Sequence, residues 1–196
     1  RKHVLEYDDV MNQHRTLVYK KRLEILKGER REAVVDTVKN EVKKIIDFYT
    51  GENKEGEWDK NDLPAGRQEL FENLKAIFPA IGDGEKEFVS SAKSREEISE
   101  HFEKLAGELY GQKEKEVGPE LMRQVERLVM LNILDNLWMN HLEDMEALRD
   151  SVQLRAYGQR TPLVEYKNES RRVFGGLMAT FESQVASIIL KIAPPP

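Results

Sequence analysis

Residues 119–190 read PELMRQVERLVMLNILDNLWMNHLEDMEALRDSVQLRAYGQRTPLVEYKNESRRVFGGLMATFESQVASIIL. In the first half the apolar positions Leu121, Val125, Leu128, Leu131, Leu134, Trp138, Leu142, Met145, Leu148 and Val152 step by three or four. That is the period of a helix and not of a strand. No Gly or Pro interrupts from Glu120 to Tyr157, and Gly118-Pro119 opens the run with Pro where its missing N–H costs nothing. About 37 residues at 1.5 Å each make a rod of roughly 55 Å, several times an ordinary helix, which needs packing partners along its length. The chain turns tightly within Leu154–Pro162 and comes back. Thr161 is placed to cap the returning helix, Pro162 to begin it, and Glu165 to meet its dipole. Phe174, Leu177, Met178, Phe181, Val185, Ile188 and Ile192 give the return arm its own stripe. Gly175-Gly176 weakens that arm by about 1 kcal/mol each relative to Ala and reads as a close approach or a kink. Periodicity alone describes an antiparallel helical hairpin.

The turn carries more than periodicity. It reads Gln153-Leu-Arg-Ala-Tyr-Gly-Gln-Arg-Thr-Pro162, with an aromatic where a tip is normally polar. Upstream stand Leu134-Asp-Asn-Leu-Trp138, His141-Leu-Glu-Asp-Met145 and Leu148-Arg149, and downstream Glu165-Tyr-Lys-Asn-Glu-Ser-Arg171. The combination resembles the two-helix finger of the SecA family, the ATP-driven motors of bacterial preprotein export, whose pattern runs approximately LDxLWxxHL…MxxLRxxxxLRxYxQxxPxxEYKxES.

Working outward, residues 1–50 read as helix twice over. Val10, His14, Leu17, Val18, Lys21 and Ile25 share one face, Gly28-Glu-Arg-Arg31 breaks it, and Val34, Val35, Val38, Val42, Ile45, Ile46 and Tyr49 resume it to Thr50-Gly51. The β-branched run would suit strands, but alternation fails and the spacing of three and four persists. Leu5-Glu-Tyr-Asp-Asp-Val-Met-Asn12 with Arg15 resembles the start of the SecA helical scaffold, LEYDDVMNxQR. It lies more than a hundred residues from the first resemblance and in the order the family demands.

Residues 51–118 change character. Gly51-Glu-Asn-Lys-Glu-Gly56 is a loop by composition, Glu69–Phe78 a short amphipathic helix stopped before Pro79, and Gly82-Asp-Gly84 a turn. Ser94 with Glu97 is a capping box, opening a helix with Ile98, Phe102, Leu105 and Leu109 on one face. The stretch holds 17 acidic residues against 10 basic, while the flanks carry +3 and −1. An acidic, small-helix insert between two long-helix segments is the reading. The resemblance makes it the helical wing domain. The expected architecture is all-α, with residues 1–36 the first long scaffold helix, 37–118 the wing, 119–192 the scaffold with its two-helix finger, and 193–196, ending in three prolines, a linker or tail.

The 196 residues carry a net charge of −5, with 39% hydrophobic and 34% charged residues and no cysteine. Disulfides and Cys-based zinc sites are excluded, which suits a cytosolic protein. No apolar run approaches the 18 or so residues that span a membrane, and Arg1-Lys-His-Val-Leu5 lacks the apolar core of a signal peptide. With no Met at position 1, the chain reads as a piece of something longer. No G-x-x-x-x-G-K-[ST] loop is present to cradle a nucleotide, so this chain alone is not expected to hydrolyse ATP.

Other chemistries find little support. His3, His14, His101 and His141 are scattered singly, with no H-x-x-x-H pair, and read as packing or surface residues rather than metal ligands. Asp8-Asp9 and Glu143-Asp144 are adjacent, and adjacent helix positions do not face one another, which argues against paired acid–base catalysis. Asn168-Glu-Ser170 matches a glycosylation acceptor but lies mid-helix. Trp138 reads most simply as core. From Arg149 to Arg172 six basic residues stand against three acidic on an acidic chain. Such a cluster with one aromatic could bind nucleic acid, but a single tip aromatic and the net negative charge favour contact with a channel protein or a passing polypeptide.

The resemblance implies the rest. The scaffold would couple an ATP-driven motor to the SecY channel, with ATP and Mg bound by motor domains outside this chain and no cofactor or metal in it. The hairpin tip, Tyr157 with Arg155 and Gln159, would contact the translocating preprotein, and no catalytic residue is expected. Tyr7, Asp8, Asp9, Asn12 and Arg15 would contact the motor. The hairpin base, near Val125–Asn136 and Ala179–Ile192, would pack on the first scaffold helix and restrain the ATPase at rest. The location implied is cytoplasmic, peripherally at the inner face of the cell membrane. The alternative from another class is a free-standing helical adaptor or coiled-coil module with no link to export.

Overall fold

The computed structural model describes residues 2–28, 31–50, 64–154 and 162–193. Among them are seven helices and no strand: α1 Lys2–Lys27, α2 Arg31–Thr50, α3 Pro64–Ile77, α4 Asp83–Ser91, α5 Arg95–Val117, α6 Pro119–Leu154 and α7 Pro162–Ile189. The all-α expectation holds. Two glycines end helices where the backbone enters the left-handed region. Gly28 (φ +89°) closes α1, donating its N–H to Ile25 O at 3.0 Å, and Gly118 (φ +89°) closes α5, donating to Glu114 O at 2.9 Å. Any side chain there would be strained, so both breaks are written into the sequence.

The chain forms two compact units, Arg1–Glu29 with Arg127–Phe181, and Arg30–Glu126 with Glu182–Pro196. In the first, α1 meets α6 and α7. Tyr7, Val10, Met145, Leu148, Val152 and Tyr166 make one buried cluster, edged by Met11, Leu163 and Val173. Tyr7 and Tyr166 pack with ring centroids 4.7 Å apart. The hairpin base packs on α1 as expected: Arg22 reaches Asp135 at 3.1 Å, and Lys21 lies over the Phe181 ring.

In the second unit α2 packs against α5 and α3, and α3 against α4. Val34, Val38, Val42 and Ile46 form the buried stripe of α2, so the β-branched run is helical because its spacing, not its propensity, matches a face to be buried. Ser94 caps α5, its Oγ accepting the Glu97 N–H at 3.2 Å, while the Glu97 carboxylate turns back to the N–H of Lys93.

Several expectations are corrected. The Gly82-Asp-Gly84 turn is the start of α4: Gly82 is the N-cap, its N–H donates to the Glu85 carboxylate at 3.0 Å, and Asp83 and Glu85 complement the dipole. The helix predicted at Glu69–Phe78 begins earlier, at Pro64. On α6 the buried face is turned about one residue, or 100°, from the predicted stripe over its first half. Met122, Glu126, Met130 and Ile133 are buried, whereas Leu128 is 68% exposed; Leu134, on the predicted stripe, is buried as expected. Farther along, His141 is buried in place of Leu142. Trp138 is half-buried rather than core. Gly175 and Gly176 are exposed, and no described atom lies within 4 Å of the Cβ either would carry, so they mark no close approach.

Candidate functional site

The hairpin is built by α6 and α7. Tyr157, Arg155 and Gln159, with the Thr161 cap, lie outside the described residues. What is described is the pair of stems. Leu154, the last residue of α6, is 79% exposed, and Val164, in the first turn of α7, is 51% exposed. The basic residues of this end divide. Arg171 and Arg172 are exposed. Arg149 lies at the surface 3.6 Å from the Asp8 carboxylate and 5.4 Å above the Tyr7 ring. Part of the positive charge counted from sequence thus has an acidic neighbour on α1. Burial pushes the Tyr166 hydroxyl up from its ordinary value, and Arg149 opposes the shift.

The α1 constellation also divides. Tyr7 is buried under Tyr166, while Asp8, Asp9, Asn12 and Arg15 face solvent. Asn12 Oδ1 accepts from Arg15 at 3.2 Å, one turn of helix joining two of the predicted contact residues. Asp9 and Asn12, with Gln13, Thr16 and Leu17, line a shallow open concavity on α1.

Two polar clusters lie beyond the reach of local reading. His14 and His141, 127 residues apart, meet with Nδ1 and Nε2 3.1 Å from each other, which corrects the view that the histidines are scattered singly. Phe174 stacks on His14 at 4.4 Å, and Trp138 on His141 at 5.5 Å. Beside them a cleft of about 220 Å³ is lined by Glu6, Asp9, Gln13 and His14 of α1 and by Lys167, Ser170 and Arg171 of α7. In the other unit Arg123 bridges Glu114 (2.7 Å) and Glu126 (3.0 Å), Arg31 pairs with Glu114 at 2.9 Å, and the Tyr110 hydroxyl donates to Glu126 at 2.7 Å. Glu126 is 2% exposed. Burial and the Glu126 carboxylate push the Tyr110 hydroxyl well up, so it stays protonated and donates. His14 already stood on the apolar face read for α1, but the partners that the helices bring to it and to Glu126, His141 and Tyr110, leave no local signal. Among the described residues no three His, Asp or Glu side chains gather as a metal site, and no helix is long and apolar enough to cross a membrane.

Comparison with known proteins bears on all of this. The sequence model of the SecA wing and scaffold domain matches residues 1–193. Among curated relatives, the protein translocase subunit SecA of Pelotomaculum thermopropionicum is 38% identical over 98% of this chain and 21% of its own length. That of Heliobacterium modesticaldum is 37% identical over 98% of this chain and 22% of its own. The chain therefore spans about a fifth of the length of these relatives. The match does not favour a free-standing adaptor unrelated to export. Two motif stretches at the ends of the sequence, a helical hairpin in the fold and a match from the first residue to the closing prolines converge: the chain belongs to the SecA wing and scaffold domain family.

Proposed function

We propose that this chain is the wing-and-scaffold part of a preprotein-translocating motor, and that it transmits the motor's motion to the chain being moved. The observation that carries the reading is the family match over residues 1–193, joined to a hairpin whose stems end in the exposed apolar side chains of Leu154 and Val164. Residues 1–36 and 119–192 serve as scaffold, 37–118 as wing and 193–196 as linker. ATP and Mg belong to motor domains outside this chain, the SecY channel receives the hairpin, and the whole works in the cytoplasm against the inner face of the membrane.

Tyr157 is the residue assigned to the translocating polypeptide, flanked by Arg155 and Gln159. A tyrosine offers a large ring and one hydroxyl at low entropic cost, so it grips unrelated sequences. Asp8, Asp9, Asn12 and Arg15 are assigned to the motor. Four of the five α1 candidates are exposed and polar, which supports that role. Tyr7 supports it from behind, by anchoring α1 to α7 through Tyr166. A photo-crosslinker at position 157 or 159 of the full-length protein, with a preprotein stalled in transit, tests the reading. Adducts to the preprotein that depend on ATP are expected. Adducts absent there but abundant from an exposed control such as Phe48 would overturn it.

A further inference from the structure

We propose that the His14–His141 pair is a proton-sensitive clasp that fastens α1 to the two hairpin helices within the first compact unit. Both rings are buried, His14 at 5% and His141 at 2% exposure, and their facing nitrogens stand 3.1 Å apart. One nitrogen donates and the other accepts, so the bond survives with no proton added, or with one shared between the rings. Two added protons would set N–H against N–H and bring two positive charges together where little water reaches. The flanking rings offer no countercharge. Phe174 of α7 stacks on His14 with planes 14° apart and meets His141 edge-on, and Trp138 covers the far side of His141. The pair thus ties three helices at one point, a polar island beside the apolar Tyr7–Tyr166 cluster.

The charges that face the pair come from all three helices. Glu6 and Asp9 of α1 and Lys167 and Arg171 of α7 ring the cleft that opens onto His14, and Asp144 of α6 acts on His141. Carboxylates and cations there oppose one another, so burial decides. Burial and the neighbouring imidazole lower His14 from 6.5 to about 4. His141 is also lowered by burial, with Asp144 pulling it back up. A parted His14 therefore binds a proton more readily than a clasped one. The clasp is at full strength above pH 6.5 and weakens as pH falls from there toward 4. The cleft gives solvent a route to His14, so protons need not await unfolding.

Hydrogen exchange of the full-length protein, corrected for intrinsic rates and read on peptides spanning α1, tests this. Between pH 7 and pH 4.5, protection around His14 should fall about 100-fold, the shift expected when a lowered imidazole regains an ordinary value. In His14→Gln, which keeps a polar side chain at the site but removes one titrating ring, the fall should be clearly smaller, leaving only the part that His141 contributes. Imidazole nitrogen NMR on the unaltered protein gives a second readout that does not need the variant to fold: His14 should titrate well below 6.5. Equal acid profiles for the two proteins, or an imidazole titrating near 6.5, would overturn the proposal.

Discussion

Glu126 shows what a single buried charge does in this fold. Its carboxylate is held by Tyr110 and Arg123, and Arg123 is shared with Glu114. Removing one partner leaves the other charge buried and uncompensated, so Arg123→Met should destabilise by about 3–5 kcal/mol. Replacing both, Arg123→Met with Glu126→Leu, should cost clearly less than the sum of the single changes, because no orphan charge remains. Chemical denaturation of the four proteins closes the cycle; strictly additive costs would show that the pair is not coupled. Trp138 illustrates the converse. Taken as core, Trp138→Ala would cost about 3–5 kcal/mol; half-buried against His141, it should cost only about 1–2 kcal/mol, read from the same denaturation curves.

At the scale of the element, the turned face of α6 separates what the sequence makes legible from what it does not. For the long helices existence and type were legible, and so were several ends: Pro119 and Pro162 start their helices and Gly28 and Gly118 end theirs, each for a steric reason visible in one residue. The direction of the face was not. Leu121–Leu134 carries apolar residues on more than one side, so two stripes of period three to four coexist. The inward one includes Glu126, and farther along His141, which hydropathy reads as outward. Arg123 is a neighbour one turn away, but Tyr110 and His14 come from other helices and leave no local trace. A pair of substitutions reports the direction. Leu134→Ala, at a fully buried position, should cost about 2–5 kcal/mol, whereas Leu128→Ala should stay within about 0.5 kcal/mol. Equal costs would restore the predicted stripe. The α4 helix was hidden for a related reason: Gly82-Asp-Gly84 has the composition of a turn, and only Glu85 reaching back to Gly82 makes it a helix start.

For the whole molecule, length and motif spacing were the informative signals. Two motif stretches separated by an acidic insert implied a segment of a larger machine, and the match over residues 1–193 bears out the family. The candidate site was legible in part. Arg149 counted as tip charge but is paired with Asp8, and Tyr7 counted as a contact but lies under Tyr166, because net charge and motif membership do not report which side chains the fold consumes. With no phosphate loop in its sequence, the purified chain is expected to be strongly helical by far-UV circular dichroism and to lack Mg-dependent ATP turnover; turnover above background would contradict the division of labour proposed here. The central claim, that the hairpin tip works on the moving chain, rests on Tyr157. The most direct measurement is preprotein transport into membrane vesicles by full-length protein carrying Tyr157→Ala, Tyr157→Phe or Tyr157→Ser, with ATP binding and thermal unfolding measured alongside. The account predicts folding and ATP binding unchanged, transport sharply reduced for Ala and Ser, and more activity kept by Phe, since ring area makes the grip. Normal transport by a folded Tyr157→Ala protein would contradict it.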